Sequence, residues 1–182
     1  MGIQLTHMGG KTWISVPHRI GQGKGAGPAI WVVFSTPLLH ILCSRGLHCQ
    51  FIDPFSTKST CFSGFSFVDD TDLIIANIEG GDYQSVLTSL QESVDTWEGC
   101  LKATCRAILP EKSFCFLVNF TWQSVTFIYK SLKNCPGKLF VNDLQRIRSK
   151  LRRYEPPEAQ QTQDVSLAPD GNLSTQFKKC LV

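Results

Sequence analysis

No aspartate or glutamate occurs in the first 52 residues of this 182-residue chain; the first acid is Asp53. Carboxylate acid–base or metal chemistry must therefore be carried by residues further on. The eight cysteines include no Cys-x-x-Cys pair, and His7, His18, His40 and His48 all precede the acidic segment at 69–72. No zinc-finger spacing emerges, and free buried thiols are the expectation. The N-terminus lacks a charged stretch followed by an apolar core and cleavage site, which points to an intracellular protein. The apolar run from Ala29 to Cys43 is shorter than a bilayer span and is interrupted by Ser35, Thr36, Pro37 and His40, so no membrane association is expected. Gly9-Gly10-Lys11-Thr12 lacks the earlier glycine of a phosphate-binding loop, position 5 being Leu5. Gly21-x-Gly23-x-x-Ala26 has neither a good lead strand nor an acid about 20 residues on, which excludes a dinucleotide fingerprint.

What the chain does contain is Phe65-Ser66-Phe67-Val68-Asp69-Asp70-Thr71-Asp72-Leu73-Ile74-Ile75, an apolar run broken by adjacent carboxylates and closed by a second apolar run. Charge repulsion and desolvation oppose such an arrangement between two buried strands. A divalent cation removes that penalty. Mg²⁺ is held by one or two carboxylates plus substrate phosphates, so an Asp-Asp pair on a hairpin suits phosphoryl transfer by two metals. An ordinary Asp-Asp turn is the alternative reading. Upstream, Gln22-Gly23-Lys24-Gly25-Ala26-Gly27-Pro28 forms a glycine-rich entry to the apolar segment, where bare backbone can approach a ligand.

Gln22-Gly23, Pro28 five residues later, an apolar helix, and about 40 residues on Phe67-Val68-Asp69-Asp70 together resemble the palm of reverse transcriptases, in the form found in retroelement enzymes. The resemblance implies RNA-directed DNA polymerase activity, with Gln22 and Gly23 supporting template and nucleotide beside Phe67, and with Asp69 and Asp70 as catalytic, Mg²⁺-binding residues. Leu109-Pro110-Glu111-Lys112 resembles the next palm motif, which implies that Lys112 protonates the leaving pyrophosphate. The stretch 164–172 resembles the primer-gripping strand and turn; a Leu-Gly-Val is usual there, and this chain has Gln163-Asp164-Val165. Template-primer RNA or DNA and a deoxynucleoside triphosphate are the implied partners.

The family also needs an aspartate on a strand preceding the Gln-Gly loop, and residues 1–52 hold none. The expected fold is α+β: an incomplete polymerase palm, with a small antiparallel sheet and helices packed on one face, and the start of a thumb. Residues 1–18 read as an eroded or unrelated leading segment, 19–153 as the partial palm, 154–164 as a polar Pro/Gln linker, and 165–182 as a strand-turn and truncated thumb helix. Locally, strands are expected at Thr12–Val16, Cys49–Ile52, Ser63–Val68, Asp72–Ile78, Ser113–Val118 and Trp122–Tyr129. One helix should run from Pro28 to near Gly46, and another should place Leu87, Leu90, Val94, Trp97, Leu101 and Ile108 on one face. Ser174 should cap a last helix.

Net charge is +3 overall, but Lys130–Arg153 carries eight basic residues against Asp143 alone. That stretch suits phosphate contacts, with a solvated helix face as the alternative. Two functions follow: a reverse transcriptase portion that is inactive by itself, or a non-catalytic remnant acting as a weak nucleic-acid-binding or protein-interaction module.

Overall fold

The computed structural model describes residues 4–8, 11–15, 26–67, 70–76, 82–104, 106–143, 145–162 and 165–180. In chain order the elements are β1 (Gln4–Met8), β2 (Lys11–Ser15), α1 (Ala26–Ser44), β3 (Cys49–Ile52), β4 (Ser59–Phe62), β5 (Gly64–Phe67), β6 (Asp70–Leu73) and α2 (Tyr83–Ala103). They continue with β7 (Phe114–Phe116), β8 (Phe120–Gln123), β9 (Thr126–Tyr129), β10 (Phe140–Asn142), β11 (Arg148–Lys150), β12 (Arg152–Tyr154), β13 (Gln160–Thr162), β14 (Val165–Leu167) and α3 (Ser174–Cys180). The fold is mixed α and β, with small sheets and three helices among the described residues.

The expected single small sheet is instead seven separate two-stranded sheets among the described residues. Six are antiparallel pairs of consecutive strands, and the seventh pairs β7 with β12 in parallel. Strands of three to five residues offer little edge on which to add a third strand, and other groups occupy some of those edges. The clearest case is β10. Gln91 on α2 donates from Nε2 to the Phe140 carbonyl and accepts the Phe140 N–H at Oε1, both at 2.8 Å. Two turns further along α2, the Glu98 carboxylate accepts the Asn142 N–H at 2.9 Å and the Asn142 Nδ2 amide at 2.9 and 3.0 Å. Helix side chains thus take the place of a neighbouring strand.

The apolar face of α2 joins two cores. Leu87 and Val94 pack with Leu117, Cys135, Leu139, Val141 and Leu151, while Trp97 and Leu101 pack with Leu42 and Leu47 at the end of α1; Leu73 and Ile108 touch both clusters. Helix α1 stays continuous through Pro37 and begins at Ala26, before the proline expected to start it. It ends as a glycine-terminated helix should: Gly46 takes φ +76°, Gly46 N donates to Cys43 O at 3.1 Å, and Leu47 N donates to Leu42 O at 3.0 Å. This double closure, with Leu42 and Leu47 both buried, satisfies the last carbonyls of the helix.

Several local expectations change. The helical period of α2 stops at Ala103, so Ile108 reaches the core from a loop. The stretch expected as one strand from Trp122 to Tyr129 is a hairpin, β8 paired with β9, in which Ser124 turns the chain at φ +55°. Among its described residues the basic stretch Lys130–Arg153 contains no helix and forms loops and β10, β11 and most of β12. Ser174 is the first residue of α3, and the Asn172 side chain accepts its N–H at 2.9 Å.

Glu98 is only 3% exposed. Burial alone raises its pKa, but donation from Lys102 and Asn142 outweighs this and holds the carboxyl below its ordinary value. Its stabilisation is therefore present above the unfolded carboxyl pKa and lost as pH falls through the folded one. Glu98→Ala, which strands the Asn142 donors, should cost about 2–3 kcal/mol in denaturant unfolding at pH 7. Glu98→Gln should remove this residue's share of the acid-side loss of stability; an unchanged acid limb would contradict the assignment.

Candidate functional site

The acidic segment lies on the β5–β6 hairpin, whose register pairs Gly64 with Leu73, Phe65 with Asp72, Ser66 with Thr71, and Phe67 with Asp70. The return strand therefore begins at Asp70 rather than Asp72, and two residues, not four, connect the strands. Val68 and Asp69 are those two, and both lie outside the described residues, as do Gln22 and Gly23. Of Phe67 only the backbone is described; it pairs with Asp70, which is exposed. Lys112 lies on an exposed turn before β7, closed by its N–H on Leu109 O at 3.1 Å.

Alternation along the hairpin gives its two faces different chemistry. Ser66, Thr71 and Leu73 share one face, and Leu73 reaches both cores. Phe65, Asp70 and Asp72 share the other, where Phe65 remains 41% exposed. Sequence reasoning missed Asp72 as a companion of Asp70 because it placed the turn two residues too long; the Asp-x-Asp alternation was the available signal. Burial, and then the nearby charge of Asp70, push the Asp72 carboxyl above its ordinary pKa. Two oxygen-donor side chains on one strand face are the right chemistry for a hard divalent cation. Among the described residues, no group of three or more His, Cys, Asp or Glu side chains is placed to hold a metal ion.

The hairpin is pinned to α1 at two points. At its base, Ser63 Oγ donates to Leu39 O at 3.1 Å and Ile74 N donates to Ser63 O at 2.9 Å. Nearer the acidic turn, Trp31 Nε1 donates to Ser66 Oγ at 2.7 Å. Gly64 permits the close crossing between the strands: its φ is +150°, and a Cβ there would lie 2.1 Å from the Asp72 carbonyl oxygen.

Elsewhere, two arginines lie over rings: Arg148 over Phe140 at 4.9 Å and Arg152 over Tyr154 at 4.5 Å. Arg146, Arg148, Lys150 and Arg152 are exposed, whereas Arg153 is half-buried and donates to Cys135 O at 2.6 Å. Hairpin β8–β9 carries Phe120, Trp122, Phe127 and Tyr129 on one face, with neighbouring ring centroids 5.4–6.2 Å apart. Cys43, Cys49, Cys61, Cys100, Cys115 and Cys135 are free, but of these only Cys49 and Cys135 are buried and Cys61 is exposed, and partial burial pushes the Cys115 thiol up to about 11, which keeps it protonated and non-nucleophilic at neutral pH. No helix among the described residues is long and apolar enough to cross a membrane. Compared with protein-family models, curated proteins and solved structures, the chain matches none.

Because the Asp72 pKa is raised on folding, stability is greatest below the unfolded carboxyl pKa and declines as pH rises through the folded one. Asp72→Asn should therefore raise the melting temperature at pH 7 by about 2 °C and leave it unchanged at pH 3. A lower melting temperature for the variant at pH 7 would show that Asp72 stabilises the fold instead.

Proposed function

We propose that this chain is part of the palm of a retroelement reverse transcriptase and does not by itself carry a complete polymerase site. The observation that carries the reading is the paired Phe67 and Asp70, an antiparallel hairpin with an aromatic residue and an aspartate flanking its two-residue connection. Order along the chain supports it: Gln22-Gly23 precedes α1 in the sequence, the acidic hairpin follows, then α2 and the Leu109–Lys112 turn. In this reading Asp69 and Asp70 would hold Mg²⁺, which would supply charge neutralisation for attack of a primer 3′-hydroxyl on the α-phosphate. Gln22, Gly23 and Phe67 line the nucleotide and template, and the Lys112 ammonium gives its proton to the departing pyrophosphate. A two-metal site needs a further carboxylate from a second strand, and residues 1–52 offer none.

The 182-residue chain should therefore extend no primer in Mg²⁺, since loss of a metal-bridging ligand removes several kcal/mol of transition-state stabilisation. Extension that depends on Mg²⁺ and disappears in Asp69→Asn would overturn the claim of an incomplete site.

A second reading, weak binding to nucleic-acid backbone, is favoured by the exposed Arg146, Arg148, Lys150 and Arg152 around β11. Affinity carried there should fall with salt, with a slope near −0.9 per phosphate neutralised on duplex, and show no sequence preference. Neutralising those four residues together, and sparing Arg153 for its contact with Cys135, should flatten the slope in an anisotropy titration. An unchanged slope would remove the basic stretch from the binding surface.

A further inference from the structure

Trp31 is the sixth residue of α1 and is only 7% exposed. An indole has one polar atom, a donor that must find an acceptor when buried. Here that acceptor is the Ser66 hydroxyl at 2.7 Å. Ser66 Oγ lies 2.7 Å from Thr71 Oγ1 and 3.2 Å from the Asp70 carbonyl oxygen. One indole N–H thus ties into a hydroxyl cluster spanning both strands, at the cross-strand pair next to Phe67 and Asp70. The other side of the ring is occupied: the Arg106 guanidinium, from the segment after α2, sits 4.4 Å from the ring centroid.

The two attachments of the hairpin to α1 run in opposite order, Leu39 with Ser63 and Trp31 with Ser66. Eight helical residues span about 12 Å and three strand residues about 10 Å, so the hairpin lies along α1, fixed at both ends of β5. If the Ser63 attachment alone remained, the acidic end could swing about its base. We propose that Trp31 is a positioning residue that fixes the acidic end of the β5–β6 hairpin, through Ser66 and Thr71, in one orientation on α1. Its functional importance rests on reading that hairpin as a metal-dependent site; the anchoring itself does not.

The test uses the full chain and amide hydrogen exchange by NMR. Trp31→Phe keeps an aromatic ring beneath Arg106 and removes the N–H donor together with part of the indole's volume, whereas Ser66→Ala removes the acceptor with little change of volume. Amides of 64–67 and 70–73 should exchange roughly tenfold faster, while α2 amides between Leu87 and Leu101 stay within about twofold. Ser66→Ala should do the same, and Ser66→Thr, which keeps the hydroxyl, should restore protection. Unchanged hairpin exchange, or acceleration spread equally over α2, would overturn the proposal; should Trp31→Phe not fold, Ser66→Ala against Ser66→Thr decides it alone. Mn²⁺ addition separates the two claims. Broadening of the 70–72 resonances at low Mn²⁺ in the native chain, needing about threefold more Mn²⁺ in Trp31→Phe, supports both; no broadening alongside faster hairpin exchange removes the metal reading and keeps the anchor.

Discussion

The contact on which most of this structure depends is that of α2 with the outer edge of β10. A strand of three residues paired on one side only is a poor candidate for stability. Gln91 reproduces both hydrogen bonds of a missing neighbour at Phe140, and Glu98 supplies the acceptor for Asn142. Once those bonds hold the strand, Leu139 and Val141 complete the core built on Leu87 and Val94. A buried carboxylate is ordinarily costly, and here Lys102 and Asn142 surround it with donors. Because the same helix also carries Trp97 and Leu101 into the α1 cluster, the first and last thirds of the chain are coupled through one element.

The small sheets follow from the same economy of partners. Three ribbons show local ways to satisfy a face without recruiting a third strand. On β8–β9 four aromatic rings cover one another edge to face, a favourable use of the quadrupole of each ring. On the parallel pair, Phe114, Phe116 and Tyr154 cluster and Arg152 covers the tyrosine. On β5–β6 the polar face is turned to α1, where a tryptophan donor and two hydroxyls satisfy each other, and on the opposite face Asp70 is exposed while Asp72 is half-buried.

What was legible in the sequence was what local chemistry decides. The helical period of Leu87, Val94, Trp97 and Leu101 located α2, and apolar segments either side of the aspartates located the hairpin. The strand Cys49–Ile52 was found with its observed bounds. Other features depend on partners far along the chain or on turns without the usual residues. The Ser124-Val125 connection has no glycine or asparagine to mark it, so two strands read as one. Basic residues suggested a helix face between 130 and 153, but Asp143 nucleates a turn there: its carboxylate accepts the Ile147 N–H and its carbonyl accepts the Arg146 N–H. Within the site, Asp70 could be found from its neighbours, whereas Asp72 needed the register and Trp31 needed knowledge of what its indole faces.

Among the described residues six of the seven sheets join consecutive strands, which has a consequence for the order in which the molecule assembles. Such ribbons close loops of a few residues and can form within about 1–10 μs, yet alone each is marginal. The non-local encounters remain: the β5–β6 hairpin docking on α1, α1 meeting α2, α2 meeting residues 140–142, and β7 meeting β12 across the chain between Phe116 and Arg152. Loop-closure entropy opposes them until core burial compensates. The barrier to folding is thus concentrated in these few encounters, and the acidic hairpin, whose pairing is local, takes its final orientation only when it comes to rest on α1.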